Sequence, residues 1–165
     1  MEIRVLGPLE VVSSTGAEVE IGSPKQRELL ALLAAHAPHA VSTDRIVDAL
    51  WGDDLDHLSS LRFHVSKLRD AVDPDRTGAV IVTQPPGYRL GTGTGSVDAH
   101  RFVALIDESE RLKQGDRFAA VQLLDEALGL WRGGPYAEFE YAAWAREEVT
   151  CLEELRLVAI EHRIE

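Results

Sequence analysis

Hydrophobic and polar positions change period several times along the chain, and each change marks an element. In the first twelve residues Ile3, Val5, Leu9 and Val11 alternate with polar or small residues around Gly7-Pro8, which predicts a β-hairpin. Ser13 to Gly16 reads as a second turn, and Val19 and Ile21 as a third short strand, so a small antiparallel sheet opens the chain. The period then turns helical. Ser23-Pro24-Lys25-Gln26 is a capping box with proline at the first helical position. Leu29, Leu30, Leu32 and Leu33 make the helix that follows the central core helix, and Pro38 stops it. Near its start, Lys25 and Arg27 read as solvated cations, with a phosphate as the competing partner. Val41 suits a short strand. Ser42 or Thr43 caps a second helix with Ile46, Val47, Leu50 and Trp51 on its apolar side, and Gly52 ends it.

After an acidic loop, Asp53-Asp54-Leu55-Asp56, comes the stretch on which the rest depends, Leu58 to Val72. Leu61, Val65, Leu68 and Val72 recur at spacings of four, three and four and share one stripe of a helix. At 100° per residue Ser59, Phe63, Ser66 and Lys67 point the other way, with Arg62, His64 and Arg69 on the flanks. Two short helices of which the second turns a basic face outward make a helix-turn-helix arrangement. Asp73-Pro74-Asp75 closes the segment. Val80-Ile81-Val82-Thr83 and Tyr88-Arg89-Leu90 then bracket Gln84-Pro85-Pro86-Gly87, a strand, a turn and a strand that form a wing beside the helices. Thr83 and Arg89 flank the turn, within reach of sugar-phosphate or an adjacent minor groove.

Gly91 to Ser96 has the composition of a flexible linker, and the domain boundary falls there. The remainder is helical. Phe102, Leu105, Ile106 and Leu112 mark one helix that ends at Gly115. Asp116 caps the next, with Phe118, Val121, Leu124, Leu128 and Trp131 facing inward until Arg132-Gly133-Gly134-Pro135. Trp144, Val149, Leu152, Leu155 and Ala159 mark a third. Helix pairs of this size resemble tetratricopeptide units, which bury their apolar faces only against neighbours. The last helix lacks a sequence partner, so the pattern predicts an incomplete array, either a fragment or a short version of a longer protein. The architecture expected is an α+β winged helix-turn-helix domain with an N-terminal antiparallel sheet (1–91), a linker (92–97) and an all-α tetratricopeptide-like domain (98–165).

Charge sharpens this picture. The 165-residue chain has net charge −11. Residues 1–97 hold nine Lys/Arg and thirteen Asp/Glu, and residues 98–165 hold eight and fifteen, so neither half is basic. This argues against indiscriminate binding to nucleic acid through bulk charge, and any DNA contact has to come from a local patch. Between Ser59 and Arg69 there are three Lys/Arg and no acid, which suits a recognition helix whose outward face reads base edges while flanking cations hold phosphates. A solvated polar face is the plainer alternative. The acidic loop would repel phosphate, so it is expected to face away from DNA.

Other chemistry is thin. The six histidines are scattered without ligand spacing, so no metal site or other cofactor is expected. Nothing pairs a nucleophile with an orienting base, so an enzyme is not expected. Trp131, Trp144 and Tyr136 read as core of the helical domain, and the single Cys151 as a buried or half-buried thiol, which suits a reducing, cytoplasmic setting. No apolar run reaches membrane-spanning length, so no membrane partner is expected.

Taken together, LLALLAAHAPHAVSTDRIVDALWGDD, LRFHVSKLRDAVDP and VIVTQPPGYRL resemble the winged helix-turn-helix domain of OmpR/PhoB-type regulators, and specifically the SARP/AfsR branch of actinobacterial regulators. The segment from Val97-Asp98 through RLKQGD, AVQLLDEALGLWRGGPY and the Trp144 helix is similar to the start of the bacterial transcriptional activator domain of that branch. The resemblance implies a sequence-specific activator. Its third helix would enter the major groove and its wing would touch the backbone or minor groove. Protomers would bind tandem direct repeats of promoter DNA as a homodimer and help recruit RNA polymerase, often to secondary-metabolite genes. On this chain it places Phe63 in a base-facing slot, His64, Lys67 and Arg69 at phosphate or base contacts, and Thr83 at the opening of the wing. Two positions depart from the pattern: Ser66 stands where related regulators often carry a basic residue, and Pro85 replaces a wing arginine common outside this branch. With no phosphoacceptor domain ahead of the winged helix, control by aspartate phosphorylation within the chain is not expected. The competing class is a protein-interaction module that uses the winged helix and helical domain as a scaffold without reading DNA.

Overall fold

In a computed structural model, which describes residues 1–52, 57–91 and 93–164, the opening alternation becomes two antiparallel strands. In β1 (Glu2–Arg4) and β2 (Glu10–Val12), Ile3 lies opposite Val11 and both side chains are buried. The third strand expected at Val19 and Ile21 does not form. Val19 N–H donates to the Val11 carbonyl at 2.8 Å and a single bridge joins Val12 to Glu18, but the chain turns into the first helix before a ladder develops. Ile21 still enters the core, as a loop residue.

Helix α1 (Pro24–His36) starts where the capping box puts it, with Ser23 Oγ accepting from Gln26 N–H at 3.2 Å. Its residues from Leu29 to Ala34 are all buried, because strands, helices and the second half of the protein pack on every side of it. Strand β3 (Val41–Ser42) leads into α2 (Thr43–Trp51), capped by the Ser42 hydroxyl and closed by Gly52 at φ 72°. Helix α3 (Leu58–Val72) lays Leu61, Val65, Leu68 and Val72 against α1. Asp73 then builds the following turn, accepting from Thr77 N–H and Oγ1 and from Gly78 N–H. The acidic loop between α2 and α3, residues 53–56, lies outside the described residues, and with it the expectation that it faces away from DNA.

The wing is β4 (Ile81–Gln84) and β5 (Gly87–Leu90), and β5 sits centrally in the order β3-β5-β4. Pairing of Ser42 with Gly87, and a 3.1 Å bond from Thr43 N–H to the Pro86 carbonyl, tie the wing turn to the start of α2. Only glycine fits at position 87, since a Cβ there would overlap the Val41 carbonyl, which is backbone and cannot swing aside. Gly87→Ala is therefore expected to part β3 from β5, at a cost of about 1–3 kcal/mol or more. Thermal denaturation measures the loss, and hydrogen exchange should show the wing amides losing protection first.

Beyond the wing, Ser96 bonds back to the Gly93 carbonyl and Val97 forms a parallel bridge with Ile3. The chain then enters α4 (Asp98–Leu112), α5 (Arg117–Gly129) and α6 (Arg146–Ile164). Asp116 caps α5 by accepting from Ala119 N–H. The inward stripe of α5 is Ala120, Leu124 and Ala127, and it corrects the expectation for Phe118. Two residues ahead of Ala120, Phe118 projects from the opposite side of the helix and is 73% exposed. Cys151 is exposed on α6 rather than buried.

The aromatic residues expected in the core are buried or half-buried, and two of them also bridge to the first half. Trp131 does pack there, edge-on to Phe102 with centroids 5.2 Å apart. Tyr136 is buried too, and together with Trp144 it also fastens the two halves: Tyr136 N–H donates to the Val5 carbonyl at 2.6 Å, and Trp144 Nε1 donates to Glu28 of α1 at 3.2 Å. Around them, the buried Asp98 carboxylate accepts from Val5 N–H at 2.7 Å and Leu6 N–H at 3.2 Å, and Arg132 N–H donates to the Leu6 carbonyl at 2.8 Å. Arg27, read as a solvated cation, bonds Glu138 at 2.8 Å and the Leu9 carbonyl at 2.6 Å, while Glu138 also accepts from Leu9 N–H. That pairing holds the Glu138 carboxyl below the usual glutamate range, chiefly through the Arg27 hydrogen bond. The loop between β1 and β2 is thus a socket for the helical half.

Candidate nucleic-acid interface

The polar side of α3 is open. Ser59, Arg62, Phe63, Ser66 and Lys67 are all exposed, because the four-three-four spacing of the buried stripe leaves them on the far side of the helix. Neither Arg62 nor Lys67 has a carboxylate partner among the described residues. The first acid on the helix, Asp70, is paired with Arg76. Phe63 is 55% exposed, and Lys67 Nζ lies 5.8 Å from its ring centroid. Leaving a phenyl ring in water forgoes burial that is favourable elsewhere, so its place at the centre of a cationic face suits contact with something apolar, such as a thymine methyl.

His64 and Arg69 are placed differently from their neighbours. The His64 ring is half-buried, stacked on Trp51 at 5.8 Å and edge-on to Phe63. Burial, and then the positive charge of Lys25, lower its pKa, so it favours the neutral form at physiological pH. It props the face from behind. Arg69 turns to the wing: Nε and Nη2 donate to the Ile81 carbonyl at 3.1 and 2.9 Å, Nη2 also donates to Thr83 Oγ1 at 2.8 Å, and the guanidinium carbon lies 5.8 Å from the Tyr88 ring centroid. One planar fork therefore links α3 to both wing strands, a geometry that a lysine ammonium does not reproduce. Thr83 is exposed at the end of that link, next to the helix face. Arg89 is half-buried on β5 and bonded to Gln84 Oε1 at 2.7 Å, within the wing.

The structure thus brings Ser59, Arg62, Phe63, Ser66, Lys67 and Thr83 to one surface and holds His64, Arg69 and Arg89 in supporting contacts. It also adds residues that the pattern did not single out. A cleft of about 280 Å3 runs between the helices and the wing, lined by Thr43, Leu58, Arg62, Pro85, Pro86 and Tyr88. By pattern Thr43 is a cap and Tyr88 a strand residue, and their part in this cleft comes from the wing folding back onto α2.

Comparison with known proteins places the whole chain. The family model of the transcriptional regulatory protein C-terminal domain matches residues 16–90, and that of the bacterial transcriptional activator domain matches residues 97–165. The transcriptional regulator RedD of Streptomyces coelicolor is 34% identical over 99% of this chain and 48% of its own length. The regulatory protein AfsR of the same organism is 34% identical over 84% of this chain and 14% of its own length. The chain belongs to the SARP/AfsR-type transcriptional regulators. Its architecture is that of the solved structure of Mycobacterium tuberculosis EmbR in complex with a low-affinity phosphopeptide, with a TM-score of 0.87 at 30% identity over 98% of this chain and 44% of that one. The chain spans about half the length of RedD and less of the others. The relatives matched are named as transcriptional regulators, and no helix among the described residues is long and apolar enough to cross a membrane.

Proposed function

We propose that this SARP-type chain is a sequence-specific, DNA-binding transcriptional activator that reads tandem direct repeats in promoter DNA, with α3 in the major groove and the wing on the flanking backbone. The observation that carries this reading is the exposed face of α3, which bears Arg62 and Lys67 without a carboxylate partner among the described residues and an open Phe63 beside the wing in a chain of net charge −11. Arg62 and Lys67 supply the cations for phosphate or guanine, Ser59 and Ser66 short hydroxyls for base edges, Phe63 an apolar contact, and Thr83 a wing contact to the backbone. Arg69, His64 and Arg89 keep that surface in shape. Two protomers on adjacent repeats form a homodimer on DNA. The helical half recruits RNA polymerase, and the regulated genes, as the RedD and AfsR likenesses suggest, belong to secondary metabolism.

Fluorescence anisotropy of this chain against a duplex carrying tandem repeats, and against a scrambled duplex, at several salt concentrations tests the reading. The repeats should bind at least about tenfold more tightly, with a log–log salt slope of a few units from the phosphates neutralised. Equal affinity for both duplexes across the salt series would overturn it.

A further inference from the structure

A cleft of about 390 Å3 lies on the seam between the two halves, away from the DNA-reading face. Three elements line it at helical spacing: Leu32 and His36 from α1, Arg45 and Asp48 from α2, and Trp144 and Glu147 at the entry to α6. Thr43 of α2 borders the wing cleft, whereas Arg45, two residues on, borders this one, because 200° of helical rotation separates them.

Its walls are fixed and its charges are not used. Trp144 packs edge-on to Tyr136 with centroids 5.9 Å apart, lies 5.8 Å from Phe139, and is held by its bond to Glu28, so the indole is a preset flat surface. His36 Nδ1 donates to the Leu32 carbonyl at 2.9 Å, which orients the imidazole. The side chains of Arg45, Asp48 and Glu147 have no hydrogen-bond or ion-pair partner among the described residues, although groups of both signs border the same cleft. Arg45 and Asp48 stand three residues apart on α2, and Glu147 lines the same cleft from α6.

We propose that this cleft binds a small zwitterion of the α-amino-acid type. The carboxylate meets the Arg45 guanidinium, the ammonium meets Asp48 and Glu147, and the apolar body lies on Trp144 and Leu32. Charge-assisted bonds at both ends select a molecule carrying both groups over one carrying either alone. An occupant touches the helix-turn-helix through α2 and the activator half through Trp144 and Glu147. It therefore binds preferentially to the arrangement in which the two halves are seated together, which makes the site an effector site.

Isothermal titration of the 165-residue chain with three matched probes tests this: L-phenylalanine, phenethylamine, which lacks the carboxylate, and 3-phenylpropanoate, which lacks the ammonium. The expected result is saturable binding of L-phenylalanine with a Kd below about 1 mM, and about tenfold weaker binding of each analogue. Arg45→Ala should bring L-phenylalanine down to the level of phenethylamine while leaving phenethylamine unchanged. Asp48→Asn combined with Glu147→Gln should do the converse, bringing it down to the level of 3-phenylpropanoate. These side chains make no bonds among the described residues, so melting temperatures should stay at the wild-type value, which separates loss of a ligand contact from loss of structure. Absence of saturable heat with L-phenylalanine, or variants that weaken all three probes equally, would overturn the proposal.

Discussion

Asp98→Ala lowers the stability of the protein by about 3 kcal/mol, read as a shift of the urea midpoint at unchanged m. The carboxylate is 2% exposed and is the acceptor for two backbone N–H groups, those of Val5 and Leu6, in a loop that has left its own ladder. Alanine leaves both donors buried without a partner, at about 1–3 kcal/mol each, and removes the counter-charge of Arg132. Part of that loss is recovered, because the carboxylate itself sits uneasily. Burial raises its pKa above the ordinary aspartate value against the opposing pull of the Val5 and Leu6 N–H groups and of Arg132. Asp98→Asn keeps one carbonyl acceptor and has no charge to desolvate, so it is the milder change. A raised carboxyl pKa also fixes a sign. Between the unfolded and folded values the native state binds more protons than the unfolded chain, so this group's contribution to stability grows as pH falls through that window. The gap between wild type and Asp98→Asn should change there and nowhere else near it. Heat should show the alanine variant melting roughly 6–12 °C lower, at about 2–4 °C per kcal/mol for a chain of this size. Proteolysis of the segment around residues 91–97 should accelerate if the helical half has lost its socket. A variant as stable as wild type would mean that the loop reaches solvent, and that the seam is held by Arg27, Glu138 and Trp144 instead.

How far such a seam could be foreseen depends on the range of the contacts. Everything set by neighbours along the chain was legible. Ser23 and Asp116 cap the helices they precede, Leu58 to Val72 is one helix, and Leu61, Val65, Leu68 and Val72 form its buried stripe. In each case the deciding physics is a hydrogen bond three residues away or a 3.6-residue period. The wing was legible for the same reason, since Pro85-Pro86-Gly87 between two β runs leaves few other turns. What failed rested on residues far away in sequence. Arg27 looks like a free cation until Glu138 arrives from 111 positions downstream. Trp144 looks like helical core until its indole N–H meets Glu28 of α1. Phe118 failed for a different reason: a large apolar side chain near a helix start was counted into the stripe although Ala120, Leu124 and Ala127 keep better register. On the candidate surface, spacing alone separated outward from inward positions correctly for Ser59, Phe63, Ser66 and Lys67. It could not say that Arg69, on the flank, would bond the Ile81 carbonyl, because that bond depends on where the wing packs.

Lys67 and Arg69 are therefore expected to respond differently, although both are cations two positions apart on one helix. Lys67→Ala should weaken binding to the repeat duplex by about tenfold and lower the magnitude of the salt slope by about 1, the signature of one lost phosphate contact. Its melting temperature should not move, since an exposed ammonium over a half-exposed ring contributes within about 0.5 kcal/mol. Arg69→Ala instead removes three donated hydrogen bonds between α3 and the wing. Hydrogen bonds from a charged donor are worth about 1.5–3 kcal/mol, so a loss of stability of that order should precede any question of DNA. Binding should also fall, because Thr83 and the wing turn no longer stand at a fixed distance from Phe63 and Lys67. The salt slope should change by much less than 1, since the lost charge was facing Ile81 and Thr83. Arg69→Lys discriminates further: it restores the charge but not the fork, so it should resemble alanine in melting and in wing hydrogen exchange. An Arg69→Ala protein with wild-type stability and a salt slope reduced by a full unit would put Arg69 on a phosphate and make its bonds to the wing a feature of the unbound state. The pair of variants thus separates a residue that touches DNA from one that holds in place the residues that do, a distinction that a count of positive charges on α3 does not make.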